Sequence, residues 1–215
     1  SVSFNKVFGI NKINSDIINN SEENKFLKIL HKEIKKHDLV IVTDYGHGLI
    51  TKKIASYIVR KSKFLAINAQ LNSANLGFHT VKNYKKSDCC IINENELRYE
   101  MRNRNDNIKK LMINFLKIIN PKNLIVTQGN SGSKIISKKN RKIEHVEAFS
   151  DVAIDKVGAG DTMLAFVSML LKNNTDRTLA LFIGSLAAAI SVQTFANKNS
   201  VNKISLLKFI SRVLK

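Results

Sequence analysis

The sequence predicts an α/β fold in which helices cover both faces of a mainly parallel sheet. Short, continuously apolar runs recur along the chain, and such runs are typical of strands that are buried on both faces. Segments with a 3.6-residue apolar period separate these runs, which indicates helices between the strands. Strands and helices that alternate in this way favour parallel strands joined by helical crossovers.

The first part of the chain contains signals for three strands and two helices. An apolar alternation within residues 1–20 indicates an edge strand. Residues 21–24 can cap a helix, and the apolar positions that follow keep the helical period. The apolar runs 39–43 and 64–68 predict buried strands, and a helix over 51–61 connects them.

The rest of the chain continues this alternation and then changes to antiparallel strands and helices. The predicted elements are a strand at 89–92, a helix start at 93–96, a helix near 106–119, a strand at 124–127, and antiparallel strands at 134–137 and 143–149. Helices follow to the end of the chain. Residues 179–195 are almost wholly apolar and rich in Ala and Gly, which predicts a helix packed inside the domain and not in a membrane.

Length and composition predict a single globular domain. At 215 residues, of which 44% are hydrophobic, the chain can bury a full core. No uninterrupted apolar stretch approaches the roughly 18 residues that a membrane-spanning helix needs. The chain begins at Ser1 and shows no signal-peptide layout, so we expect a cytoplasmic protein and a chain cut from a longer one.

The chain is strongly basic, with 35 Lys and Arg against 17 Asp and Glu and a net charge of +18. Such a charge favours acidic partners, among them nucleotides, sugar phosphates and nucleic acids. The basic residues are spread thinly and no aromatic residues interleave with a basic block, so we attribute the charge to a compositional bias and do not predict nucleic acid as a partner. Cys89 and Cys90 are adjacent in a predicted strand, which suits neither a metal site nor a disulfide framework.

A glycine-rich loop before an apolar helix is the strongest functional signal in the sequence. Gly158, Ala159 and Gly160 let the backbone turn tightly and leave its amides uncovered, and residues 163–171 have the composition of a buried helix. The first amides of a helix have no partner within it and bind anions such as a transferring phosphoryl group. Asp161 lies at the mouth of this anion site, although an aspartate in a first turn also caps its helix.

Polar residues directly follow four of the predicted strands. They form the segments 43–48, 68–75, 93–96 and 127–132. Each segment by itself could be ordinary turn chemistry. In parallel sheets, however, ligands bind beyond the carboxyl ends of the strands, and the common edge of these segments therefore predicts a site there.

Residues 155–162, Asp-Lys-Val-Gly-Ala-Gly-Asp-Thr, closely resemble the signature of the ribokinase-like (PfkB) carbohydrate kinases. The resemblance implies a three-layer α/β/α ribokinase-like fold and an ATP-dependent sugar kinase. Val157 departs from the threonine that many members carry, which removes a side-chain hydroxyl and leaves the backbone role intact.

In that family the loop is the anion hole for the phosphoryl group, and its aspartate is the base that takes the proton from the sugar hydroxyl. The resemblance assigns the anion hole to Gly158, Ala159 and Gly160, and the base to Asp161. It gives Asp155 the role of supporting the loop or a monovalent cation.

The segment 93–96 matches the Asn-x-x-Glu element of the family, which organises magnesium and the nucleotide phosphates mainly through a water shell. An amide oxygen and a carboxylate one turn apart, from Asn93 and Glu96, are the hard ligands that Mg²⁺ prefers. The alternative is that Asn93 caps the helix and Glu96 closes a capping box.

Thr127, Gly129 and Gly132 resemble the nucleotide loop of the family. Glycines there let the main chain approach a ribose and phosphate, although a simple hairpin needs the same residues. Asn197 falls where the family places residues that line the adenine pocket.

Residues 44–48, Asp-Tyr-Gly-His-Gly, are similar to the Asp-Tyr-x-Lys-Gly segment of the bacterial heptose-7-phosphate kinase branch. His47 replaces the lysine, so a permanent positive charge becomes a group that is neutral for much of its time at pH 7. This resemblance extends to sugar kinases fused to, or encoded beside, nucleotidyltransferases, and it allows a homodimer. The substrate-side candidates are Asp44, His47, Asn68, Asn72 and Asn75.

The resemblance covers roughly residues 38–200, a nucleotide-binding core, and residues 1–20 correspond to the end of a lid. Family members usually carry a further N-terminal portion with most of that β-sheet lid, so the chain reads as a partial kinase domain. Two functions stay open: a carbohydrate kinase, whether of the heptose-phosphate, ribose or nucleoside type, and a nucleotide-binding or regulatory remnant without turnover.

Overall fold

The computed structural model describes residues 16–72, 75–77, 79–149, 157–193 and 200–214, and a six-stranded sheet runs through their centre. The strands are β1 (Val40–Asp44), β2 (Leu65–Ala69), β3 (Cys89–Asn93), β4 (Asn123–Thr127), β5 (Ser133–Ser137) and β6 (Ile143–Val146). They lie in the order β1-β2-β3-β4-β5-β6, with β1 to β4 parallel and β5 and β6 antiparallel to their neighbours. The predicted α/β fold with a mainly parallel sheet is confirmed.

Helices cover both faces of the sheet. They are α1 (Asn20–Glu33), α2 (Lys52–Lys61), α3 (Glu94–Met101), α4 (Ile108–Ile119), α5 (Ala159–Lys172), α6 (Arg177–Ser191) and α7 (Lys203–Val213). The first four pack with one face of the sheet in one apolar cluster, and α5 and α6 pack with the other face in a second. Helix α7 lies against α6, and none of its side chains is fully buried.

The continuous apolar character of the strands follows from this double cover. In β3, Cys90 and Ile92 belong to the cluster on one face, whereas Cys89 and Ile91 belong to the cluster on the other. Successive side chains of a strand point to opposite faces, so both sets must be apolar when both faces are covered. Burial raises the pKa of the Cys89 thiol to about 12, and both cysteines are free.

The apolar helix predicted at 179–195 packs inside the domain, as expected, and its described part is α6. A Cβ atom on Gly184 would lie 2.3 Å from Cγ2 of Val167 in α5, so the two helices approach closely at that glycine. Among the described residues, the structure contains no helix with both the length and the hydrophobicity to cross a bilayer.

The structure corrects the start of the first helix. The predicted cap at 21–24 is wrong, because Asn19 caps α1: its side chain accepts hydrogen bonds from the amides of Ser21 and Glu22. Glu22 in turn accepts from the amide of Asn19 at 2.9 Å and closes a capping box. The strand predicted at 143–149 ends earlier, at Val146. Most of the edge strand predicted within residues 1–20 lies outside the described residues.

Parallel pairing brings the carboxyl ends of β1 to β4 to one edge of the sheet. Partners in register include Asp44 with Ala69 at the ends of β1 and β2, and Asn93 with Thr127 at the ends of β3 and β4. The polar segments that follow these strands therefore meet along that edge, as the sequence predicts.

Candidate active site

A cavity of about 750 Å³ opens at this edge of the sheet, where α5 also begins. Most residues that the sequence predicts as site residues line it: Asp44, Asn68, Asn93, Glu96, Thr127, Gly129, Gly132, Gly158, Ala159, Gly160 and Asp161. His47, Asn72 and Asn75 are not among its lining residues. Asp155 and Asn197 lie outside the described residues.

Helix α5 begins at the cavity with Gly158 as its N-cap. Gly158 has a φ of +85°, in the left-handed region that favours glycine. Among the described residues no side chain caps this end, and the first intrahelical bond runs from the amide of Thr162 to the carbonyl of Gly158 at 2.9 Å. The amides of Ala159, Gly160 and Asp161 precede it and have no acceptor within the helix. They lie at the positive end of the helix dipole, which suits an anion.

Asp161 lies in the first turn of α5 and receives a hydrogen bond from a distant part of the chain. The hydroxyl of Tyr45 donates to Oδ2 of Asp161 at 2.9 Å. Burial and this bond raise the pKa of Tyr45, so its hydroxyl stays protonated at neutral pH and serves as a donor. Tyr45 is not among the predicted site residues; its place directly after β1, beside Asp44, is the signal that could have indicated it.

Asp44, a predicted substrate-side residue, uses its carboxylate inside the protein. Oδ2 accepts from the hydroxyl of the fully buried Tyr84 at 2.5 Å, and Oδ1 accepts from the amide of Gly46 at 3.0 Å. Burial and the charge of Asp44 raise the pKa of Tyr84 far above its ordinary value. The carboxylate of Asp44 therefore holds the loop after β1 on the core.

The asparagines at and after the end of β2 have two kinds of surroundings: one faces the cavity, and two contact the loop after β1. Asn68 faces the cavity, and its Nδ2 would lie 3.5 Å from a Cβ atom on Gly160. Asn75 is buried, and its Nδ2 donates to the carbonyls of Tyr45 and Gln70, at 2.8 Å in each case. Asn72 Nδ2 donates to the same Tyr45 carbonyl at 3.3 Å. Asn72 and Asn75 therefore hold the main chain of Tyr45.

Asn93 and Glu96 form the capping box that was the alternative to a magnesium role. The amide of Glu96 donates to Oδ1 of Asn93 at 2.8 Å, and the amide of Asn93 donates to Oε2 of Glu96 at 3.0 Å. The amide of Leu71 donates to Oε1 of Glu96 at 3.2 Å. Burial, with the nearby charge of Glu100, raises the pKa of Glu96 against these hydrogen bonds.

The donor set at this end of the cavity fits Mg²⁺ held through water. Within the described residues, no group of three or more His, Cys, Asp or Glu side chains could hold a metal by itself. Mg²⁺ keeps several of its waters and binds one or two carboxylates together with substrate phosphates. Asn93 and Glu96 line the cavity, and their side-chain oxygens could orient such waters while they keep their capping bonds.

A second carboxylate, missed in the sequence, joins α3 to the loop after β4. Glu94 accepts from Arg98 at 2.6 and 2.9 Å, and from Nε2 of Gln128 at 2.6 Å. Lys134 in β5 donates to Oε1 of Gln128. Burial raises the pKa of Glu94, but the hydrogen bonds from Gln128 and Arg98 outweigh it and hold that pKa below its ordinary value. Glu94 and Gln128 line the cavity, so this network fixes part of its wall.

The two glycines of the hairpin between β4 and β5 differ in what surrounds them. A Cβ atom on Gly132, at φ +77°, would lie 2.1 Å from the carbonyl oxygen of Val146, so the pairing with β6 requires glycine there. Gly129, at φ +57°, has no atom of the described residues, apart from its own and its chain neighbours', within 4 Å of such a Cβ position. The main chain at Gly129 is therefore open to a ligand, and the hairpin alternative accounts for Gly132.

The remaining wall of the cavity is apolar and lies on the face of the sheet that α5 and α6 cover. It includes Ile91, Phe149, Met163, Ala188, Ala189 and Val192. Phe149 packs edge-on against Phe182 with ring centroids 5.3 Å apart. The hydroxyls of Ser133 and Ser185, which also line the cavity, lie 2.9 Å apart. An apolar slot with a few polar groups at its margin suits a planar ring such as a nucleotide base.

The sequence of the chain is similar to those of a family of known proteins. The chain matches the model of the pfkB family carbohydrate kinases over residues 53–204. It is 25% identical over 175 residues to the bifunctional protein HldE of Nitrobacter hamburgensis, a match that covers 79% of this chain and 35% of that protein. The chain spans little more than a third of the length of the curated relatives it matches.

Solved structures share the fold. The chain is similar to phosphofructokinase-2 from Escherichia coli in complex with potassium, with a TM-score of 0.73 and 12% identity over 93% of this chain and 64% of that one. It is also similar to ribokinase of Arabidopsis thaliana complexed with ribose and ATP, with a TM-score of 0.67 and 16% identity over 91% of this chain and 60% of that one. At these identities the likeness shows the fold, and it confirms the predicted ribokinase-like architecture.

Proposed function

The chain belongs to the pfkB family of carbohydrate kinases, and on that premise we propose that it phosphorylates a hydroxyl of a sugar or sugar phosphate with ATP. One observation carries the proposal: Asp161 lies in the first turn of α5, beside helix amides that have no intrahelical acceptor, in the same cavity as the β4–β5 hairpin. A base and an anion site together are what phosphoryl transfer to an alcohol needs.

Asp161 is the proposed general base. Its carboxylate takes the proton of the acceptor hydroxyl as the hydroxyl oxygen forms a bond to the γ-phosphorus, and the bond from that phosphorus to the β–γ bridging oxygen of ATP breaks. ADP leaves with the electron pair of the broken bond. The amides of Ala159 and Gly160 stabilise the negative charge on the transferring group.

The nucleotide lies, in this proposal, between the apolar wall and the hairpin. The base fits against the slot formed by Phe149 and the C-terminal part of α6, and the open main chain at Gly129 faces the ribose and phosphates. Bound Mg²⁺ would neutralise charge on the phosphate oxygens. Asn93 and Glu96 are the proposed residues that orient its waters.

The acceptor we propose is a sugar phosphate of the heptose type. The support is the likeness of residues 44–48 to the heptose-7-phosphate kinase segment and the match to bifunctional HldE proteins. A nucleotidyltransferase fused to the kinase, or encoded beside it, belongs to the same proposal. Asn68 is the substrate-side candidate that faces the cavity next to the anion loop, and His47 stays a candidate from the resemblance alone.

The test compares the full-length protein with its Asp161→Asn variant. A coupled assay over a panel of sugars and sugar phosphates measures turnover, and calorimetry with ATP and Mg²⁺ measures nucleotide binding. Loss of the base should lower kcat by roughly 10²–10⁴-fold while ATP still binds. Turnover of the variant within a few-fold of the parent would refute the assignment of the base. ATP binding by a parent protein that phosphorylates none of the sugars would instead support a nucleotide-binding remnant.

A further inference from the structure

We infer that Tyr45 is a positioning residue: its hydroxyl holds the carboxylate of Asp161 in place, and the polar residues after β1 and β2 serve to hold Tyr45. The inference rests on the proposed function, in which Asp161 is the base. It gives Asn75 and Asp44 a role in supporting that base instead of in binding the charge of the acceptor.

The contact itself joins two distant parts of the chain. Tyr45 and Asp161 are 116 positions apart, and the donor–acceptor distance of 2.9 Å is that of an ordinary hydrogen bond. Of the described residues, only Tyr45 donates a side-chain hydrogen bond to this carboxylate. An aspartate in a first turn otherwise tends to bond to nearby backbone amides, which are the amides that the anion site needs.

Two side-chain amides hold the backbone carbonyl of Tyr45. Asn75, whose side chain is buried, donates to the Tyr45 carbonyl at 2.8 Å, and Asn72 donates to it at 3.3 Å. Asn72 and Asn75 also bond to each other's backbone amides, at 2.9 and 3.0 Å. The carbonyl thus has partners that are themselves fixed, which restricts the rotation of the peptide that carries Tyr45.

The residues on either side of Tyr45 are held equally closely. Asp44 is tied to Tyr84 and to the amide of Gly46. A Cβ atom on Gly46, at φ +68°, would lie 2.7 Å from both Nδ2 of Asn75 and Cγ of His79, so only glycine lets the loop lie against these side chains. The backbone on both sides of Tyr45 is therefore held by the protein, which fixes the point from which its ring reaches Asp161.

If the Tyr45 hydroxyl served only to stabilise the fold, its removal would lower thermal stability. Tyr45 is 42% exposed, and a hydrogen bond at such a position contributes little to folding. Tyr45→Phe keeps the ring and removes only the donor, so its thermal unfolding should match that of the parent. The matched control is Tyr57→Phe, which removes a hydroxyl bonded to Nδ1 of His31 at 2.8 Å. Tyr57 lies in α2, on the face of the sheet opposite α5 and Asp161.

The kinetic test separates positioning from binding. In the full-length protein, Tyr45→Phe should lower kcat about tenfold and leave the KM for ATP unchanged, because a misplaced catalytic group slows chemistry without weakening nucleotide contacts. Tyr57→Phe should leave both unchanged. In an Asp161→Asn background the loss caused by Tyr45→Phe should disappear, because the two residues act as one unit.

A second measurement does not depend on turnover. Tyrosine labelled with carbon-13 at Cζ reports the titration of each phenol by NMR, and Tyr45→Phe identifies the resonance of Tyr45. Burial and the bond to Asp161 raise the pKa of Tyr45, so in Asp161→Ala this resonance should titrate at lower pH than in the parent.

The outcomes distinguish the two proposals. An Asp161→Asn variant without turnover, together with a fully active Tyr45→Phe variant, would overturn the role of Tyr45 and leave the proposed function in place. An unchanged titration of Tyr45 in Asp161→Ala would overturn it as well. Absence of sugar phosphorylation by the parent protein would refute both the proposed function and the role of Tyr45 in it.

Discussion

At the scale of single residues, the polar side chains around the cavity differ in what their atoms are already bonded to. Asp161 lines the cavity and accepts a hydrogen bond from Tyr45, and Asn68 lies beside the anion loop. The carboxylate of Asp44 bonds to Tyr84 and Gly46, and the side-chain amide of Asn75 bonds to the carbonyls of Tyr45 and Gln70. Residue type alone does not separate these groups, because all four are Asp or Asn near the end of a strand, in the loop after it, or in the first turn of a helix. Their hydrogen-bond partners separate them.

Gly160 gives a test of the anion site that is independent of the base. A Cβ atom there would lie 3.5 Å from Nδ2 of Asn68, which is ordinary contact, so Gly160→Ala should fold and retain most turnover. Gly160→Val adds two further carbons between the loop and the cavity, and it should lower kcat about 10²-fold while Asp161 stays in place. Equal activity of the two variants in the sugar kinase assay would contradict an anion site formed by this backbone.

Glu94 gives a prediction for the dependence of stability on pH. Hydrogen bonds from Gln128 and Arg98 outweigh the effect of burial and hold the pKa of Glu94 below its ordinary value of 4.5. A carboxyl with a lowered folded-state pKa stabilises the fold above its unfolded pKa, and that contribution is lost as the pH falls through the folded value.

The free energy of unfolding, measured with urea, should therefore fall more steeply for the parent than for Glu94→Gln between about pH 5 and about pH 3. The stability difference between the two proteins should be largest above pH 4.5 and disappear at the acid end. Parallel curves over this range would mean that the network around Glu94 does not favour its ionised form.

At the scale of elements, the cavity depends on two helix starts and one hairpin. The loop before α5 leaves its first amides without side-chain caps among the described residues, whereas Asn93 and Glu96 form a capping box at the start of α3. The first helix start can therefore bind an anion, and the second presents carboxylate and amide oxygens that suit a hydrated cation. The β4–β5 hairpin lines the same cavity.

The packing of α6 on α5 gives a prediction for stability. A Cβ atom on Gly184 would lie 2.3 Å from Cγ2 of the buried Val167, a stiff side chain that cannot turn away easily. Overpacking of about 1–3 kcal/mol should exceed the gain of about 1 kcal/mol in helix propensity, so Gly184→Ala should lower the free energy of unfolding.

Val167→Ala serves as the control for this effect. The double variant Gly184→Ala with Val167→Ala should be more stable than the sum of the two single changes implies, because the new methyl group fills the space that the valine leaves. Additive losses in urea unfolding would show that the two helices do not meet at this glycine.

At the scale of the whole molecule, the charge of +18 is the largest feature that the site does not explain. Binding of nucleic acid through such a charge releases counterions, so its affinity falls steeply with salt concentration. Binding of ATP in the cavity would rest on backbone amides and on an apolar slot, which salt affects less.

Salt dependence therefore separates the two kinds of binding. Mg²⁺ and ATP at a concentration about 100 times Kd should stabilise the protein by about 2.7 kcal/mol. Thermal unfolding at about 50 and about 200 mM salt should show this stabilisation by ATP at both salt concentrations. Any binding of mixed-sequence RNA through the charge, measured by fluorescence anisotropy, should weaken steeply at the higher salt. Stabilisation by ATP that vanishes with the RNA binding would place the nucleotide on the charged surface and not in the cavity.

The sequence by itself determined the fold class, most element positions, the helix start at Gly158 and the edge of the sheet where the polar segments meet. These features depend on apolar period and on turn chemistry, which act between residues close in the chain. Even the capping box of Asn93 and Glu96 is local and could be foreseen as an alternative. The predicted cap of α1 is two residues late because Asn19 and Ser21 are both good caps, and the glutamate three residues after Asn19 favours Asn19.

Only the tertiary structure decided which polar side chains face the cavity. Tyr45 with Asp161, Asn75 with Tyr45, and Glu94 with Gln128 lie 116, 30 and 34 positions apart. Whether such groups meet depends on strand register and on the rotation of each helix, and neither has a local signal in the sequence. A carboxylate or amide after a strand therefore indicates a site, but the partner that reaches it across the sheet edge determines whether it supports the loop or faces a ligand.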